Sequence, residues 1–132
     1  MSKLAGGQMV LIVEDNDKNL KLARDLLEYH GFRTLEAGDA ESGLRLAAEN
    51  SPDIILMDIE LPGMDGVTAL EHLRADPATA GIPVVAVTAS VMPADRERFD
   101  RVGFDGYIEK PIDIRAFPGQ VLAVCKRASP QP

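Results

Sequence analysis

The chain of 132 residues has a single cysteine, Cys125. One thiol closes no internal disulfide, so no covalent staple is available and a reducing cytoplasm is the expected setting. Long apolar runs are also missing. No run exceeds five residues, and stretches such as Met9–Val13 and Ile54–Met57 fall far short of the roughly 18 residues that cross a bilayer, so no membrane insertion is expected. The N-terminus carries one lysine and no apolar stretch, which argues against a secretory signal. An excess of positive charge is absent too. Against 14 basic residues stand 21 acidic ones, for a net charge of −7, a poor starting point for binding nucleic acid or anionic lipid. No repeat, linker or low-complexity stretch interrupts the chain.

What remains is ordinary for a globular protein: 45% hydrophobic and 27% charged residues. The length suits one domain. The expected domain covers residues 9–127, with residues 1–8 as a flexible leader and 128–132 as a tail. Within it, short apolar runs alternate with helical patterns. Met9–Val13 reads as a buried parallel strand. Asn16 or Asp17 caps a helix with Leu20, Ala23, Leu27 and His30 on one face, closed by Gly31. Phe32–Ala37, mixed in character, suits an edge strand. Asp39 caps a helix with Ala40, Gly43, Leu44 and Ala47 inward, ended by Ser51-Pro52.

The rhythm then repeats. Asp53–Met57 is a second buried strand, and Asp65 caps a helix through Leu70 and Leu73 that stops before Pro77. Ile82–Thr88 is a third apolar strand. Pro93 opens a helix bearing Phe99 and Val102, closed by Gly103. Gly106–Glu109 is a short strand, and a last helix holds Phe117, Val121 and Val124, starting near Pro118 or kinking there. Five strands alternating with five helices predict an α/β, doubly wound, five-stranded parallel sheet. Placing the most polar strands at the edges gives the order 2-1-3-4-5, the flavodoxin-like arrangement.

Sites in such sheets form at the carboxyl ends of the strands. There the first strand delivers Glu14 and Asp15, the third Asp58, the fourth Thr88 and the fifth Lys110. The first and third strands are neighbours, so three carboxylates crowd together. Each ionised pair costs about 1 kcal/mol at 4 Å in water and several times that in a partly dry cleft. A hard divalent cation relieves this, and oxygen ligands suit Mg²⁺, with Mn²⁺ able to substitute. Lys110 adds a second positive charge. A phosphoryl group fits the arrangement, and a carboxylate nucleophile can form an aspartyl phosphate. Taken singly, each residue has a plainer reading, as a helix cap, a turn residue or a surface lysine. It is their convergence on one rim that is specific.

The segments VLIVEDN (10–16), PDIILMDIELPGMDG (52–66), IPVVAVTA (82–89) and GFDGYIEKPI (103–112) carry a family resemblance. From about Met9 to Lys126 the chain resembles the receiver domains of two-component response regulators, especially stand-alone cell-cycle regulators and the receivers of hybrid kinases. The resemblance implies that Asp58 accepts the phosphoryl group from a sensor histidine kinase or histidine phosphotransfer protein. It implies that Asp15 and Asp58 bind Mg²⁺, with Glu14 acting through water and the backbone carbonyl of Glu60 completing the ligands. Thr88 and Lys110 would contact phosphoryl oxygens. Tyr107 would be the switch aromatic coupled to Thr88, and Lys110-Pro111 a cis peptide. Glu60 and Ser90 would tune dephosphorylation. Output would pass to a protein partner through the fourth helix, fifth strand and fifth helix, including Arg96, Arg101, Asp105 and Arg115.

Two other functions compete with this signalling role. A haloacid-dehalogenase-like phosphohydrolase also uses Asp, Thr and Lys, but it wants an Asp where Glu60 stands and an acidic pair after the lysine. Turnover of p-nitrophenyl phosphate would favour it. An interaction module that has lost phosphate chemistry is disfavoured by the complete set of site residues. His30 and His72 read as structural or surface residues, and Cys125 as packed in the last helix. Arg96, Arg98 and Arg101 alternate with Asp95, Glu97 and Asp100 on a solvated or docking helix face.

Overall fold

A computed structural model describes residues 5–89 and 92–128. Its elements run β1 (Met9–Val13), α1 (Asp17–Tyr29), β2 (Arg33–Ala37), α2 (Ala40–Asn50), β3 (Ile54–Asp58), α3 (Gly66–Ala75), β4 (Val84–Thr88), α4 (Pro93–Val102), β5 (Gly106–Glu109) and α5 (Phe117–Ala128). All strand pairs are parallel, and the sheet order is β2-β1-β3-β4-β5. The expected architecture and strand order are those observed.

Side chains alternate across a strand, so each central strand feeds two cores. Leu11, Val13, Ile55, Met57, Val84 and Ala86 face α2, α3 and α4, where they meet Ala47, Leu70, Leu73 and Phe99. Val10, Ile12, Ile54, Leu56, Val85 and Val87 face α1 and α5, against Ala23, Leu27, Phe117 and Val121. That double burial is why these strands read as unbroken apolar runs. β2 is mixed because it lies at the edge; only Ala37 is buried there.

The helix starts follow the sequence signals. Asn16, Asp39 and Asp65 each accept a hydrogen bond from the backbone N–H three residues on. Pro93 occupies the first turn of α4, and Gly103 closes it with φ at 103°, where a side chain would be strained. The last helix starts rather than kinks at the proline. Asp113 Oδ1 accepts from the N–H groups of Arg115 and Ala116, and α5 begins at Phe117. Pro118 therefore falls in the first turn, where a helix does not use its N–H.

Several boundaries shift by one or two residues. β3 begins at Ile54 and includes Asp58, β4 begins at Val84, and α5 includes Ala128. The leader reading needs a larger correction for its described part. The N–H groups of Ala5 and Gly7 donate to the carbonyls of His30 and Gly31, and Arg33 N–H donates to the Gln8 carbonyl. The chain from Ala5 is thus held against the α1–β2 turn; residues 1–4, 129–132 and Ser90 lie outside the described residues.

Gly66 sets how closely α3 approaches the end of β3. A Cβ at this position would meet the Asp58 carbonyl oxygen at 2.7 Å and Ile59 Cα at 3.0 Å. Both obstacles are backbone, so the approach is possible only without a side chain here. Gly66→Ala is expected to destabilise the fold by about 1–3 kcal/mol through this overpacking. Denaturant unfolding would measure it, and a neutral result would contradict the close approach.

Candidate functional site

Strand parity decides what meets at the rim. Glu14 continues the Val10–Ile12 face, Asp58 the Ile54–Leu56 face, and Lys110 the Ile108 face. Two ladder bonds carry the pleat past the strand ends: Glu14 N–H donates to Ala37 O at 3.0 Å, and Lys110 N–H donates to Thr88 O at 2.8 Å. Glu14, Asp58 and Lys110 therefore converge on the α1/α5 side. Thr88 and Tyr107 share the opposite face, since Ala86 pairs with Tyr107 and Thr88 with Glu109.

The geometry is tight. Lys110 Nζ lies 3.0 Å from Asp58 Oδ2 and 3.1 Å from Glu14 Oε1. The second oxygen of each acid accepts a backbone N–H: Asp58 Oδ1 from Glu60 at 2.9 Å, and Glu14 Oε2 from Asn16 at 3.2 Å. Asp58 is 3% exposed and Glu14 6%. Asp15 is exposed at the mouth, and one oxygen each from Glu14, Asp15 and Asp58 lies within 4.8 Å of the others. Thr88 is buried at the end of β4. The expected acids, hydroxyl and lysine thus occupy one rim, and Glu60 borders it through its N–H. The Lys110-Pro111 peptide is cis.

Burial raises the Glu14 carboxyl above its usual range, and close contact with Asp58 adds to this, against the opposing pull of Lys110 and the Asn16 N–H. For Lys110, burial acts to lower the ammonium, but the hydrogen bonds to Asp58 and Glu14 outweigh it and hold the group above its usual value. These shifts describe excess negative charge in a space with little water. One ammonium serves two buried acids, and a third waits at the opening. An oxygen-only donor set with one solvent-facing member fits a hard divalent cation that keeps several waters.

Other residues take plainer places. Cys125 is packed in α5, where burial pushes its thiol up to about 11. His72 is exposed on α3. Asp105, expected on the output face, is committed to the fold: Oδ2 accepts from Arg74 Nη2 at 2.9 Å and from Val84 N–H at 2.8 Å. The Arg74 clamp, which also reaches the carbonyls of Ala80 and Ile82, is invisible in the sequence because backbone acceptors leave no residue pattern.

The response regulator receiver domain family matches residues 10–121. The chain belongs to that family. The polar-differentiation response regulators DivK of Brucella anthropi and Brucella ovis are each 45% identical to it over 108 residues, covering 82% of this chain and 88% of theirs. Among solved structures, a Francisella response regulator receiver domain superposes with a TM-score of 0.85 at 27% identity, covering 93% of this chain and all of that one. A CheY-like receiver protein from Methanospirillum hungatei gives 0.83 at 25% identity, covering 92% and 96%. The protein is therefore a response regulator receiver of a two-component system, and its acidic cluster is compatible with Mg²⁺.

Relief of carboxylate repulsion by a cation has a direct thermal signature. Excess Mg²⁺ is expected to raise the melting temperature by mass action, and Asp15→Asn to blunt the rise. A melting curve indifferent to Mg²⁺ would contradict the charge argument.

Proposed function

We propose that the protein acts in the cytoplasm as a single-domain phosphoacceptor, taking a phosphoryl group on Asp58 from a histidine kinase or histidine phosphotransfer protein. The observation that carries this reading is the Lys110 ammonium, 3.0 Å from the Asp58 carboxylate in a buried acidic rim. The high coverage of the DivK relatives, which leaves little of their length unmatched, supports the single-domain role.

In the transfer, an Asp58 oxygen attacks phosphorus, the phosphorus–nitrogen bond of the donor phosphohistidine breaks, and the imidazole leaves with that electron pair. The Glu60 N–H fixes the Asp58 carboxylate by one oxygen. Lys110 bonds the other and supplies positive charge where phosphoryl oxygens would lie, and the Thr88 hydroxyl offers a further donor at the end of β4. Asp58, Asp15 and Glu14 would hold Mg²⁺, with Glu14 acting through water and the Glu60 carbonyl as a further ligand. When bound, the ion neutralises phosphoryl charge. Beside the rim, a groove lined by Asn19, Leu22, Lys110, Pro111 and Ile112 gives a donor protein an approach to Asp58.

The acquired charge of about −1.5 to −2 draws Thr88 toward the phosphoryl oxygens, and Tyr107 fills the space it leaves. Their shared sheet face supports that coupling. The α4–β5–α5 surface, with Arg96, Arg101 and Arg115, then presents a changed face to a protein partner. Hydrolysis of the acyl phosphate resets the protein, with Glu60 and Ser90 tuning its rate.

Incubation with acetyl phosphate and Mg²⁺ is expected to add one phosphoryl mass, which Asp58→Asn abolishes. Thr88→Ala is expected still to accept the group but to lose most of the phosphorylation-dependent gain in partner affinity. Full labelling of Asp58→Asn would overturn the acceptor assignment, and an undiminished gain in Thr88→Ala would overturn the coupling.

A further inference from the structure

One contact outside the acidic rim ties α4 to the edge strand. The guanidinium carbon of Arg96 lies 5.2 Å from the centre of the Tyr107 ring, within the roughly 6 Å at which a cation is attracted to an aromatic face. Tyr107 is 36% exposed and Arg96 is exposed too, so the pair stands at the surface. We propose that Arg96 is a positioning residue that holds Tyr107 outward and so opposes the phosphorylated conformation. This rests on the reading of Thr88 and Tyr107 as a coupled switch.

Tyr107 shares its sheet face with Ala86 and Thr88, so side-chain rotation can carry the ring toward the end of β4. Arg96 comes from the first turns of α4, where its N–H is bonded to the Met92 carbonyl. A ring that moves toward Thr88 leaves a guanidinium anchored there. The contact belongs to the outward state alone, so it shifts the balance between the two states by its full worth. For an exposed cation–aromatic pair that is about two- to five-fold. Linkage then makes that factor the upper bound on the change in affinity for any ligand of Asp58 that drives Tyr107 inward. Arginine suits the task better than lysine because a planar guanidinium can stack on an aromatic face as well as attract it.

Two tyrosines and no tryptophan make a direct test available, because Tyr29→Phe leaves Tyr107 as the only tyrosine emitter. In that background, acrylamide quenching of the emission reads the exposure of Tyr107, and a beryllofluoride titration at fixed Mg²⁺ reads the affinity of the acceptor site. Beryllofluoride is expected to reduce quenching in the parent. Arg96→Ala is expected to lower quenching before any beryllofluoride is added, and to reduce the half-saturating concentration by a factor of up to about five. Arg96→Lys should fall between the two. Arg96 is exposed, and equal melting temperatures would separate these effects from a loss of fold. If Arg96→Ala changes neither quantity while the parent responds, the positioning role is wrong and the switch stands. If the parent binds beryllofluoride with no change in quenching, the switch itself fails, and the role of Arg96 with it.

Discussion

The site is organised around one ammonium shared by two buried acids. Glu14 and Asp58 sit almost fully out of water, at the ends of adjacent strands, where two negative charges repel strongly. Lys110 reaches both. Loss of one partner from a buried ion pair costs about 3–5 kcal/mol, because the remaining charge is stranded. Here the stranded group would be a pair of carboxylates. The same arrangement makes the rim receptive: with Asp15 at the mouth, negative charge still exceeds positive, so a divalent cation is welcome. With a cation in place, as the proposed function requires, a phosphoryl group would meet positive charge instead of repulsion.

The scaffold achieves this by counting residues in twos. Each strand sends alternate side chains to opposite faces, and the count continues for one residue past the last apolar position. Val10, Ile12 and Glu14 share one face; so do Ile54, Leu56 and Asp58. Ile108 and Lys110 follow the same rule. The fourth strand is offset by one, which sends Thr88 to the other side with Tyr107. The proposed acceptor chemistry and the proposed readout are thereby separated across the thickness of a single sheet, with the Thr88 strand in contact with both.

Counting in twos is also why so much of the fold and site is legible in the amino-acid sequence. The apolar runs fix the strands, their relative polarity fixes the order, and the strand order fixes which strand ends are neighbours. Glu14, Asp15, Asp58, Thr88 and Lys110 follow as the residues at or just past the ends of those runs. Capping at Asn16, Asp39 and Asp65 is equally open, since those residues bond their own helices locally. What stays hidden depends on contacts distant in sequence, often to backbone. The docking of Ala5 and Gly7 on the α1–β2 turn uses only main-chain groups. The Arg74–Asp105 clamp joins residues 31 apart. The Arg96–Tyr107 contact needs α4 to pack over β5 at one particular rotation, and alternating charges along a helix give no hint of it. Pro118 leaves two readings open, and the choice between them rests on Asp113 closing the turn before it.

The proposed function stands or falls on Asp58, the carboxylate beside Lys110, as the acceptor. Borohydride reduces an acyl phosphate to an alcohol, which converts a phosphorylated aspartate to homoserine and marks the position permanently. After phosphoryl transfer from a phosphorylated histidine phosphotransfer protein in the presence of Mg²⁺, reduction and peptide mass spectrometry should find homoserine at position 58 and at no other aspartate. Homoserine at position 15 instead, or a phosphoryl group that survives on a serine, threonine or histidine with position 58 untouched, would contradict it.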